Sequence, residues 1–141
     1  MDSNLSGAID LHVHSTASDG TYDPADLLRM AADKGLKAIA ITDHDTLEGS
    51  RQAFQSHIPE GLEFLTGVEI STQPPENCDI RGSLHILGYG IDLENADLQK
   101  ALDTLQHARE TRTPKILDKL NSLGVPISMD HVKAEVGEKN A

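Results

Sequence analysis

Residues Ala8 to His14 alternate strictly, with Ile9, Leu11 and Val13 on one side and Asp10, His12 and His14 on the other. A period of two predicts a β-strand, here one with a polar face. A polar loop from Ser15 to Tyr22 follows and contains the turn pair Asp19-Gly20. Asp23-Pro24 predicts a helix start. Asp23 is the expected cap, Pro24 suits the first helical position, and Asp26 adds negative charge to the first turn. Leu27, Leu28 and Ala31 form the stripe this helix buries, and Gly35 ends it. Lys37 to Thr42 reads as a short apolar strand running into Asp43-His44-Asp45. Thr46 is placed to cap a second helix reaching Gln55, with Gly49 an unfavourable residue inside it. Glu63 to Ile70 and Leu84 to Tyr89 predict two more strands, joined by a loop that holds Pro74-Pro75 and Cys78.

The order β-α-β-α-β-β predicts an α/β fold with a largely parallel sheet, whose strand ends line up on one side. The pattern changes after Leu93. Asp97 to Leu123 is helical, with one stripe of Leu98, Leu102 and Leu105 and another of Ile116, Leu117, Leu120 and Leu123. Thr113-Pro114 is the expected break between two helices, with Thr113 as cap and Pro114 at the first position. Gly124 and Pro126 stop the second, and Ser128 caps a last short helix that ends at Gly137. The expected division is therefore an α/β region over residues 1–95 and a helical region over residues 96–141. No internal repeat or low-complexity segment interrupts either region.

Composition narrows the class. The 141 residues suit one domain of ordinary size. No apolar run approaches the roughly 18–20 residues of a membrane span. The start, Met1-Asp2-Ser3-Asn4, lacks the basic and apolar stretches of a secretory signal. A single cysteine, Cys78, excludes an intrachain disulfide framework and a Cys-rich zinc module. These features together lead us to expect a cytoplasmic protein. With 23 acidic and 12 basic side chains the net charge is −11, which disfavours stable binding to duplex nucleic acid. Seven histidines in so acidic a chain direct attention to cation binding.

The histidines and lone carboxylates fall at strand ends. His12 and His14, two apart on a strand, point the same way, a natural pair of metal ligands. Asp19 lies in the loop leaving that strand, and His44 lies just past the second. Glu69 interrupts the otherwise apolar end of the third strand, and His85 sits in the fourth. A buried Glu is costly unless it is paired or bound to a cation. Four imidazoles and two carboxylates, with no thiolate, suit zinc, manganese or iron better than calcium. Six ligands exceed the needs of one catalytic ion, so two or more are expected, with Glu69 as a bridge. Asp10, Asp43 and Asp45 are candidate acceptors for imidazole N–H groups behind the ligands. His57 and His107 are read as solvated surface residues, and Cys78 as a free thiol.

The segments D-L-H-V-H-S-T-A-S-D-G-T, A-I-T-D-H-D-T, G-V-E-I-S and H-I-L-G-Y, over residues 8–92, resemble the PHP (polymerase and histidinol phosphatase) family. They are most similar to its small stand-alone bacterial phosphoesterases, which include nucleotide phosphatases and an enzyme trimming short RNAs. The resemblance implies a seven-stranded β/α barrel with a metal cluster, usually of three ions, at the strand C-termini. It implies His12, His14, Asp19, His44, Glu69 and His85 as ligands of two to three divalent transition-metal ions (manganese, iron or zinc). It further implies hydrolysis of phosphate esters of nucleotides or short oligonucleotides by a metal-bound hydroxide. Arg81 and Arg109 are candidate phosphate-binding cations. The family also uses a later His in an alanine-His-Pro-like segment and a late Asp-x-His pair, and neither occurs here. The sequence thus resembles the N-terminal part of a longer protein, a partial barrel followed by the start of a helical insertion. Two other readings stay open: a non-catalytic PHP module, and an amidohydrolase-like metal hydrolase. The latter favours a bridging lysine, whereas the third and fourth strands contain none.

Overall fold

A computed structural model describes residues 7–75 and 82–136. Cys78 and Arg81 lie outside the described residues. The elements are β1 (Ile9–Val13), α1 (Pro24–Asp33), β2 (Ala38–Ile41), α2 (Glu48–Gln55), β3 (Glu63–Thr72), β4 (Leu84–Tyr89), α3 (Ala96–Glu110), α4 (Arg112–Ser122) and α5 (Met129–Val136). The chain forms two compact units, Met1–Leu102 and Asp103–Ala141. No helix among the described residues is long and apolar enough to cross a membrane.

The first unit is α/β, an open sheet in the order β1-β2-β3-β4. β1, β2 and β3 are parallel, because α1 and α2 carry the chain back between them. All four residues of β2 are buried, as expected of a strand covered on both faces. Leu27, Leu28 and Ala31 of α1 pack with Ile39, Ile41, Ala53 and Leu62 to form the core. β4 departs from the parallel expectation: it pairs antiparallel with β3, from Gly67↔Tyr89 to Thr72↔Leu84. The loop between them contains no helix-length apolar stripe, so the chain returns as a hairpin and not a crossover. The first residues of β4 therefore lie beside the last residues of β3.

Local capping is less regular than the sequence suggests. Asp23 precedes α1 but makes no side-chain cap; its carboxylate accepts the Thr16 hydroxyl at 2.9 Å. Thr46 Oγ1 accepts Glu48 N–H at 3.2 Å, so it folds the approach to α2, whose cap residue is Leu47. Gly49, unfavourable by helix propensity, has a packing cause. A Cβ there would stand 1.8 Å from Asp43 Oδ2 and 2.6 Å from Ser15 Oγ. Its neighbour Ser50 is buried against β2 and β3, with its hydroxyl 3.0 Å from Ile41 O and accepting Gly67 N–H at 3.0 Å. These contacts pin α2 flat on the sheet.

The second unit is helical. The break between α3 and α4 falls at Thr111, earlier than Thr113-Pro114. Pro114 is third in α4, where a missing N–H costs nothing because the first turn has no acceptor for it. Gly124, with φ +84°, ends α4. Asn121 ties that end to the next segment, donating to Leu117 O and Ile127 O, both at 2.8 Å. Ser128 caps α5 reciprocally: its Oγ accepts His131 N–H at 3.4 Å, while His131 Nδ1 accepts Ser128 N–H at 3.2 Å. That exchange gives His131 a structural task.

The close approach of Gly49 to Asp43 sets the sign of one outcome. Helix propensity alone predicts that Gly49→Ala stabilises by up to about 1 kcal/mol. Steric conflict with the pinned Asp43 carboxylate predicts instead a loss of about 1–3 kcal/mol, read as a lower midpoint in urea or thermal unfolding.

Candidate metal centre

The six singled-out ligands converge at the end of the sheet where β1, β2 and β3 finish and β4 begins. β1 delivers His12 and His14. Its register against β2 shifts between Asp10 and Val13, so β1 carries an extra residue just where the two imidazoles leave the strand. The rings are 5.2 Å apart between centroids. After β2 the chain re-pairs once with β3, as a parallel bridge between His44 and Glu69. Glu69 N–H donates to Asp43 O at 3.1 Å and Asp45 N–H to Glu69 O at 2.9 Å. Asp45 then takes the left-handed conformation at φ 55°, which turns the chain toward α2. Asp is among the few non-glycine residues that adopt it readily. His85 reaches the cluster from the start of β4, where it is the register partner of Ser71. A parallel fourth strand would have placed that position elsewhere, so the reversal of β4 is what brings His85 in.

Glu69 is the hub. Its side chain is 9% exposed. Oε2 lies 3.0 Å from His12 Nε2, 2.8 Å from His14 Nε2 and 3.6 Å from His44 Nδ1, and Oε1 lies 2.6 Å from His85 Nδ1. Asp19, in the exposed loop after β1, holds His14 Nδ1 at 2.6 Å and lies 3.7 Å from His44 Nε2. The side chains form three overlapping groups: His12, His14 and Glu69; His14, Asp19 and His44; His44, Glu69 and His85. Within each group the ligand atoms lie within 4.8 Å of one another.

One atom tests whether this set fits a metal. With the proton of His14 on Nδ1, where Asp19 accepts it, Nε2 carries a lone pair. That nitrogen is buried, 2.8 Å from a carboxylate oxygen, and makes no hydrogen bond among the described residues. In that neutral tautomer the two electron pairs face each other and repel, and either a proton or a metal cation between them relieves it. The donor set, imidazole nitrogen with carboxylate oxygen, is that of a zinc, manganese or iron site.

The three aspartates expected behind the imidazoles hold serine and backbone donors. Asp43, 1% exposed, accepts Ser15 N–H at 2.7 Å, Ser15 Oγ–H at 2.6 Å and Ser18 Oγ–H at 2.6 Å. Asp45, fully buried, accepts Ser71 N–H and Oγ–H, both at 2.7 Å. Asp10 is exposed and accepts the His12 backbone N–H at 3.2 Å. Ser15, Ser18 and Ser71 were not singled out in the sequence; their signal was polarity one or two residues from a ligand. Arg109 lies in the last turn of α3 and is exposed. His57 is exposed in the turn after α2, and His107 is exposed in α3.

Burial pushes the Glu69 carboxyl up. The hydrogen bond from His12, the charge of His44, the hydrogen bond from His85 and the charge of His12 outweigh burial and hold it below its ordinary 4.5. Asp19 behaves alike: burial raises it, and His14, His44 and Ser18 bring it below 3.8. A depressed carboxyl contributes stability that is complete above the unfolded value and is lost as pH falls through the lower folded value. In chelator-treated protein, unfolding midpoints should therefore fall as pH drops below about 4.5. Glu69→Gln should show a shallower fall over the same range.

The PHP domain family matches residues 10–125. A 5'-3' exoribonuclease of Haemophilus influenzae is 40% identical over 125 residues, covering 89% of this chain and 44% of the relative. A 3',5'-nucleoside bisphosphate phosphatase of Chromobacterium violaceum is 33% identical over 117 residues, covering 83% of this chain and 39% of the relative. Among solved structures, a chain from Bifidobacterium adolescentis assigned as a metal-dependent phosphoesterase superposes with a TM-score of 0.75 at 34% identity. That superposition covers 95% of this chain and 46% of the other. The chain spans less than half the length of each of these proteins. Its motifs, its α/β sheet and its match over most of its length agree, and the chain belongs to the PHP domain family.

Proposed function

We propose that the protein is a metal-dependent phosphoesterase acting on nucleotides or short oligonucleotides. The observation that carries this reading is the Glu69 carboxylate set among four imidazoles, with the buried His14 Nε2 turned on it outside hydrogen-bond geometry. His12, His14, Asp19, His44, Glu69 and His85 would hold two to three divalent ions of manganese, iron or zinc, with Glu69 shared between positions. When bound, such ions supply positive charge for phosphate oxygens and make water acidic enough to act as a nucleophile at neutral pH. The chain's own contribution is positional. The parallel bridge of His44 to Glu69 fixes two ligands on adjacent backbones. Asp19 fixes the ring of His14 through Nδ1. His12, half exposed, marks the open side by which a phosphate would enter.

The names of the two curated relatives, one acting on RNA and one on a nucleoside bisphosphate, support nucleotide-like substrates for the whole protein. In the same reading, residues 1–95 form part of a barrel and residues 96–141 begin a helical insertion. The expected setting is cytoplasmic.

The test is phosphate release from a panel of nucleotides and short oligonucleotides by the full-length protein with Mn²⁺. His44→Ala should lower kcat/KM on the order of 10²–10³-fold, the scale for loss of one electrostatic contributor. An unchanged rate would show that the cluster is not the active site. A full-length protein that binds no transition metal would favour the non-catalytic module.

A further inference from the structure

We propose that Asp43 and Asp45 are positioning residues, each preorganising a different metal position on either side of His44. This inference rests on the metal-site reading above and concerns how the chain holds the ligands. The Asp43 carboxylate accepts hydrogen bonds from Ser15 N–H, Ser15 Oγ–H and Ser18 Oγ–H. Ser15 follows His14, Ser18 precedes Asp19, and Asp43 precedes His44. One buried carboxylate thus ties down a neighbour of every member of the group His14, Asp19 and His44. Asp19 needs that help most, because its side chain is 64% exposed on a loop.

Asp45 does the same on the other side. It follows His44, and both its oxygens bind Ser71. Ser71 lies two residues past Glu69 and is the register partner of His85. The members tied here are His44, Glu69 and His85, a different group. Asp19 belongs only to the first group and His85 only to the second.

The chemistry favours this role over simple packing. Asp43 is buried and makes no ion pair among the described residues. A buried charge held by neutral donors alone is costly, and a cation one residue away offsets it. The room for it is also specific, because only glycine at position 49 leaves space for Asp43 Oδ2.

The experiment is stepwise Co²⁺ titration of the metal-free full-length protein, followed by visible absorption. Asp19→Ala and His85→Ala each remove one step and so label the two positions. Asp43→Asn should weaken the Asp19-labelled step about 10–100-fold, the usual loss when an outer partner of a ligand is changed, and spare the His85-labelled step. Asp45→Asn should do the reverse. Ser15→Ala removes one bond to Asp43 without touching a ligand side chain and serves if Asp43→Asn does not fold. It should weaken the Asp19-labelled step, and an unchanged step would overturn the inference. The inference is also overturned if Asp43→Asn and Asp45→Asn weaken the same step, weaken both equally, or weaken neither. A parent protein that binds no Co²⁺ would overturn the metal-site reading, and this inference with it.

Discussion

Four imidazoles crowd around one nearly buried carboxylate, and cations among them would bind to all five groups. Glu69 Oε2 alone has three imidazole nitrogens within 3.6 Å. Protons on some of those nitrogens can satisfy part of the contacts. They leave His14 Nε2 facing the carboxylate without a hydrogen bond. Lone pairs that would repel one another become assets where a divalent ion sits among them. Much of the first unit can be understood as the apparatus that holds these groups together against that repulsion.

The apparatus is mostly backbone. An extra residue in β1 re-aims His12 and His14. A single parallel bridge past the end of β2 sets His44 beside Glu69. The left-handed Asp45 ends that bridge at once and starts α2. The antiparallel return of β4 supplies His85. Each device is small, and each depends on the core of α1, β2 and β3 for rigidity. Side chains do the final fixing through the serine-aspartate contacts on both flanks of His44, and those contacts dictate a glycine inside α2.

Much of this was legible in the sequence. Alternation gave β1, apolar runs gave β2 and β3, and His or carboxylate residues at successive strand ends gave the cluster. What stayed hidden depended on contacts distant in sequence. Antiparallel and parallel strands share one local pattern, so Leu84–Tyr89 did not reveal its direction. Asp23 and Thr46 have cap chemistry, but each found another partner within reach, and local rules do not rank those options. Thr111 ends α3 ahead of Pro114 because a proline within the first turn leaves the following helix intact. Asp43 and Asp45 read as imidazole partners because they flank His44. Their carboxylates also reach serines 28 and 26 residues away, contacts that no local pattern announces. Gly49 carried the clearest unused signal: a poor helix residue at a buried position marks something that needs its space.

In the proposed site Glu69 would be shared between metal ions. Anomalous diffraction from crystals of the zinc-loaded full-length protein tests it directly. At least two anomalous peaks are expected, each about 2.0–2.2 Å from a Glu69 carboxylate oxygen, with imidazoles of His12, His14, His44 or His85 completing the coordination. Peaks that all lie outside bonding distance of Glu69 would contradict it.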